Sequence, residues 1–228
     1  MITRGLLLSL LVSLSAGAGA QTSTEPLLIF HFERVGLPVP VYTFTLHADG
    51  SGTYAASYIS STPSSKYTPY PAAPGPAFET TRPITLSVKT TTLLFERARN
   101  SDHLQSCESK LKNIANTGAK TITYTSPDGT EKCTYNYTEN KAIATITDTF
   151  QGIAETLDEG RTIEQKHRFD RLGLDRELSI LADNVSNGRA LEVGTIAQVL
   201  QSLIDDVQVM DRVRKRANGL LQASSAAH

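Results

Sequence analysis

Two kinds of hydrophobic period occupy separate halves of this chain, and that segregation is its strongest constraint on fold. From residue 27 to 58 apolar residues alternate with polar ones. Leu28, Phe30 and Phe32 share one face of a first strand, and Tyr42, Phe44 and Leu46 share one face of a second. Asp49-Gly50-Ser51-Gly52 is a strong hairpin turn leading into a third strand, Thr53 to Tyr58. From Asn140 onward the period becomes helical: Ile143, Ile146, Phe150, Ile153, Ala154 and Leu157 form one stripe. Strands first and helices later predict an α+β fold with an antiparallel sheet rather than alternating βαβ units. The expected arrangement is antiparallel β-hairpins packed with a helix, followed by a C-terminal helical subdomain.

Between these halves lie a helix entered through Ser87, with Val88, Thr91, Leu94, Phe95 and Ala98 at helical spacing and Asn100 at its end, and a short helical stretch over Glu108 to Ile114. A second hairpin follows, Lys120 to Thr125 and Lys132 to Tyr137 around Pro127-Asp128-Gly129. Residues 59–83 carry Pro63, Pro69, Pro71, Pro74, Pro76 and Pro83, which exclude helix and central strand, and read as a long exposed loop. In the helical half, Gly160 is expected to stop the first helix, with Ile163 and His167 on a short continuation. Asp175 is expected to cap the next helix and Gly188 to end it. Ile196 to Ile204 and Met210 to Leu220 make the last two. The division expected is 21–140 for the β-rich part, 141–222 for the helical part and 223–228 for a flexible tail.

The first twenty residues have the order of a cleavable export signal. Arg4 gives the basic start, Gly5 to Leu14 the short apolar run, and Ala18-Gly19-Ala20 the small-residue cleavage site. The run is too short to cross about 30 Å of hydrocarbon. Cleavage leaves a chain of about 208 residues, long enough for a substantial core. The expected location is the periplasm or the extracellular space, without a membrane span in the mature chain. In an oxidising compartment the only two cysteines, Cys107 and Cys133, are expected to form a disulfide.

The net charge of −1 becomes −2 without Arg4, and such near-neutrality argues against a nucleic-acid partner. There is no H-E-x-x-H, G-x-S-x-G, Walker A or G-x-G-x-x-G pattern. Glu164 and His167 share a helix face, but a second such pair for a metal is lacking, and a solvated helix pair is the better reading. Asp49-x-Ser51-x-Thr53 lacks the remaining ligands of a calcium loop and reads as a turn. No catalytic, cofactor or metal residue is therefore assigned. Arg212, Arg214, Lys215 and Arg216 read as cations near a helix C-terminus, with Asp205, Asp206 and Asp211 upstream. Asn136-Tyr-Thr138 and Asn184-Val-Ser186 match the glycosylation sequon.

Tyr42 to Gly50 with Ile84-Thr-Leu-Ser87, and Lys110 to Ile114 through Tyr124 to Gly129 and Phe150 to Glu155, resemble uncharacterised exported bacterial proteins. That resemblance implies export and fold and no activity. Ile196 to Leu221, with its Asp205-Asp206-Val207 turn and Val213-Arg214…Ala217…Leu220, is similar to one HEAT-type helical hairpin, a unit that meets protein partners when stacked in series. The expected function is a non-catalytic, protein-binding or structural envelope module with a protein partner in the envelope or outside the cell. Its contacts would come from loop tyrosines Tyr67 and Tyr70 or from the helical surface. The alternatives are an envelope hydrolase using His103 or His167 as general base, and a small-ligand carrier with an apolar cavity between sheet and helices.

Overall fold

A computed structural model describes residues 25–59, 76–100, 104, 107, 109, 111 and 113–226. Six strands form one antiparallel sheet: β1 Leu27–Glu33, β2 Val41–His47, β3 Ser51–Ile59, β4 Ala77–Thr85, β5 Ala119–Ser126 and β6 Gly129–Tyr135. Their spatial order is β4-β3-β2-β1-β5-β6, so the two expected hairpin units join through β1 and β5. Among the described residues five α-helices accompany the sheet: α1 Val88–Arg99, α2 Lys141–Phe169, α3 Leu174–Ser186, α4 Ala197–Asp205 and α5 Asp211–Ala226. The fold is α+β.

The strand alternation does what its period requires. Phe30, Phe44 and Tyr54 are cross-strand partners on one face, continued by Ile122 and Cys133 on the other side. All five are buried. The Phe150 ring of α2 lies 5.0 Å from the rings of both Phe30 and Phe44, and this contact seats the helix on the sheet. The opposite face carries Thr43, Thr45, Thr53, Thr121, Thr123 and Thr125, a polar surface suited to β-branched residues and water. There His31 Nδ1 hydrogen-bonds Thr43 Oγ1 at 2.8 Å.

Several local expectations are corrected. Ala77–Thr85, which begins inside the segment read as loop and runs two residues past it, is an edge strand paired along β3. Pro83 is compatible with it because an edge strand needs ladder bonds on one side only. Residues 60–75, with Tyr67 and Tyr70, lie outside the described residues. The stretch from Glu108 to Ile114 shows no helix at its described positions. Asn113 has φ +64°, and just beyond it Asn116, Thr117 and Asn136 bond backbone groups with their side chains, an alternative to helical pairing. In α1, Val88 is 79% exposed rather than buried.

Helix α2 does not stop at Gly160 but runs 29 residues to Phe169. Glycine is required there for close packing: a Cβ on Gly160 would come within 2.5 Å of Ile196, and one on Gly152 within 2.8 Å of Leu191. Asp175 is not a cap either. Asp170 caps the 3-10 turn that precedes α3, while Asp175 lies in the first turn of α3 and pairs with Arg212 and Arg216 of α5. Helix α5 continues to Ala226, through most of the expected tail. Its cations therefore sit near its beginning, where the helix dipole disfavours them, and Asp211 and Asp175 offset that cost.

Cys107 and Cys133 are placed as a disulfide pair with Cα atoms 6.3 Å apart, both side chains buried. Denatured but unreduced protein should take up no alkylating reagent by mass, and reduction should cost about 3 kcal/mol of stability; two alkylated thiols would refute the pairing. Phe150→Ala should lower unfolding free energy by about 3–5 kcal/mol in denaturant titration, because it empties the stack between α2 and the sheet.

Candidate functional site

Three polar clusters stand out, and their geometry separates bracing from exposed surface. The first joins residues more than a hundred positions apart. Helix α1 has no acidic residue in its first turn, so its N-terminal dipole lacks a local counter-charge. Glu192 supplies it: its carboxylate accepts from Ser87 N at 2.8 Å, from Ser87 Oγ at 2.6 Å and from the Thr90 hydroxyl. Glu192 holds a left-handed backbone, φ +56°, that side chains other than glycine seldom adopt. The preceding residues strap the position down. Leu191 N donates to Gly152 O, and Thr156 Oγ1 donates to Leu191 O.

The second cluster lines a pocket of about 200 Å³ between the ends of β5 and β6 and the first turns of α2. Lys120 is 5% exposed, yet no carboxylate among the described residues pairs with it. Its ammonium donates to Asn136 O at 2.8 Å, Thr117 Oγ1 at 2.9 Å and Gly118 O at 3.0 Å, which uses all three of its hydrogens. Burial, with Arg34 nearby, pulls its pKa below the usual lysine range. Tyr135 hydrogen-bonds Thr147, and burial pushes its phenol up to about 12. A lysine and a tyrosine bound this fully to their own fold brace the end of a hairpin. Where α2 crosses the central strands, the stacked rings of Phe30, Phe44 and Phe150 fill the contact.

The third cluster lies where α2 ends and α4 leads to α5. His167 Nε2 bonds Asp206 Oδ2 at 2.9 Å, and Arg171 reaches both Asp206, at 3.3 Å, and Gln208. The bonds from His167 and the Gln208 amide, with Arg171 beside them, hold the Asp206 carboxyl below the usual range. Glu164 pairs with Arg168 and stays in water as expected, whereas His167, read as solvated, is largely covered by its contact with Asp206. Among the described residues no hydroxyl or thiol hydrogen-bonds the His167 ring, and no group of three or more potential metal ligands occurs. His103 lies outside the described residues.

Around this braced corner three large apolar side chains face solvent: Phe169 at 83%, Leu172 at 84% and Val207 at 82% exposure. Val207 sits between the two residues that Arg171 grips, so the segments 167–172 and 206–208 are held side by side. Periodicity does not reveal this corner, because each apolar residue falls at a helix end or in a turn. The signal available in sequence was the presence of Phe169, Leu172 and Val207 where polar residues are usual.

Neither sequon presents a free amide. Asn184 is 8% exposed and its amide bonds Glu159, while the Asn136 amide donates to Ala115 O. No helix among the described residues is long and apolar enough to cross a membrane. No family model matches the chain, and no curated protein matches it either.

Glu192→Ala should cost about 2 kcal/mol in urea unfolding, since it strips the N-terminus of α1 of its counter-charge and leaves the Ser87 amide unpaired. Glu192→Gln should cost less, as it retains an acceptor. Equal stability of all three proteins would refute the cap.

Proposed function

We propose that this chain is an exported, non-catalytic module that binds another protein in the periplasm or outside the cell. The observation that carries the reading is the corner bearing Phe169, Leu172 and Val207. Three large apolar side chains more than four-fifths exposed, on backbone pinned by His167, Arg171, Asp206 and Gln208, make a preorganised contact surface. Ordering cost is already met within the fold, so a partner gains from burying these groups without first arranging them. Apolar anchors surrounded by charged residues are the usual composition of such a contact.

Export is supported by the basic start, short apolar run and Ala18-Gly19-Ala20 of the leader, and by the Cys107–Cys133 pair. The helical surface expected to carry the contact is thereby narrowed to one corner. Tyr67 and Tyr70 lie outside the described residues, and this reading does not draw on them.

Mature protein starting at Gln21, used as bait on a native envelope extract, should repeatedly retain one protein. The variant Phe169→Ser/Leu172→Ser/Val207→Ser should lose that protein while keeping the wild-type circular dichroism spectrum. Equal retention by the triple variant would remove the corner from the contact. Turnover of an envelope substrate by the purified protein would overturn the non-catalytic reading.

A further inference from the structure

Glu159 is the buried carboxylate that none of the preceding roles uses. It lies on α2, is 8% exposed, and accepts one hydrogen bond, from the amide nitrogen of Asn184 on α3. Its other oxygen, Oε2, is buried with no hydrogen-bond partner in the described structure. The same Asn184 nitrogen lies 3.4 Å from Glu155 Oε1, so two carboxylates one helical turn apart converge on a single donor.

The charges around Glu159 do not compensate it. Glu155 and Asp158 act on it from α2 and Glu177 acts from α3, all of them acidic. The neighbouring cations are committed elsewhere: Arg161 to Asp158, Lys166 to Glu177 and Asp170, and Arg189 acts on Glu155. Ionising Glu159 therefore places a negative charge in a buried contact with one donor and three acidic neighbours.

Asn184 also holds the following segment. Its carbonyl accepts from Arg189 N at 2.8 Å and Ala190 N at 3.1 Å. That segment continues through Leu191, bound to α2, to Glu192, which caps α1. The Glu159–Asn184 contact thus lies under both α3 and the strap.

We propose that Glu159 and Asn184 form an acid-tightened latch, which holds α3 and residues 189–192 onto α2 most firmly in acid and loosens them as pH rises to neutrality. Burial first, then the neighbouring acids, push the Glu159 carboxyl from 4.5 up to about 7, against the lowering effect of the Asn184 bond. Below about 4.5 both folded and unfolded chains carry the proton and the latch is at full strength. Between about 4.5 and 7 only the folded state keeps it, so each pH unit weakens the latch up to tenfold; above that interval the loss is complete.

Hydrogen exchange of the full mature chain, read as protection factors from pH 5 to pH 8, tests the latch. Protection of α3 and of residues 189–192 should fall on the order of 100-fold over this range in wild type. In Glu159→Gln, which keeps an acceptor for Asn184 and removes the charge at 159, only the smaller fall due to Glu155, itself raised by burial, should remain. Level protection in wild type, or the same fall in the Gln variant, would overturn the proposal. Should the variant fail to fold, carbon NMR titration of the wild-type Glu159 carboxyl decides the matter. A midpoint near 7 supports the latch, and one in the ordinary glutamate range refutes it.

Discussion

The stack of Phe150 on Phe30 and Phe44 is the contact around which the molecule is organised. It takes one aromatic residue from the middle of a 29-residue helix and sets it over the central strands of a six-stranded sheet. Helix α2 keeps to the sheet well beyond that stack, and Arg161 lies 4.3 Å from the centre of the Tyr58 ring on β3. The same helix also supports α3, the 3-10 turn Val193–Ile196 and α4. Gly152 and Gly160 let Leu191 and Ile196 approach its backbone. The helical half is therefore built along the same rod that anchors the β half.

Polar residues distribute their work along this rod. Thr156 and Gly152 fasten the strap at Leu191, Glu159 meets Asn184, and His167 fixes the turn at Asp206. The strap then delivers Glu192 to the N-terminus of α1, so a helix packed near the sheet receives its counter-charge from the helical half. This reciprocity explains why Glu192 retains a left-handed backbone: three hydrogen bonds at α1 offset its conformational cost. The far end of the rod is the corner where Phe169, Leu172 and Val207 stand exposed. The rod thus carries the latch in its middle and the proposed contact surface at its end.

Much of the secondary structure was legible in sequence because it rests on local physics. Alternation in Leu28 to Phe32 and Tyr42 to Leu46, the Asp49-Gly50 turn, and the Ser87 and Asn100 caps are interactions among near neighbours. Readings failed where a distant residue changed the meaning of a local signal. Gly160 resembles a helix stop until Ile196 is placed against it. Asp175 resembles a cap until two arginines of α5 reach it. Pro83 resembles loop until β3 turns out to have a free edge. Of the candidate sites, His167 was visible as a titratable residue, but its partner Asp206 lies 39 positions away.

The sequence by itself determined the class of fold, the two hairpin units without their edge strand, and the cysteine pair, because hydrophobic period, turn chemistry and cysteine count all act locally or by composition. Tertiary structure alone decided which strand joins the two hairpins, which carboxylate caps α1, which glutamate is buried beneath α3, and which apolar residues are left in water. Each of these depends on residues tens of positions apart meeting in space. Their pairing is set by packing against α2, a condition that no local stretch of sequence contains.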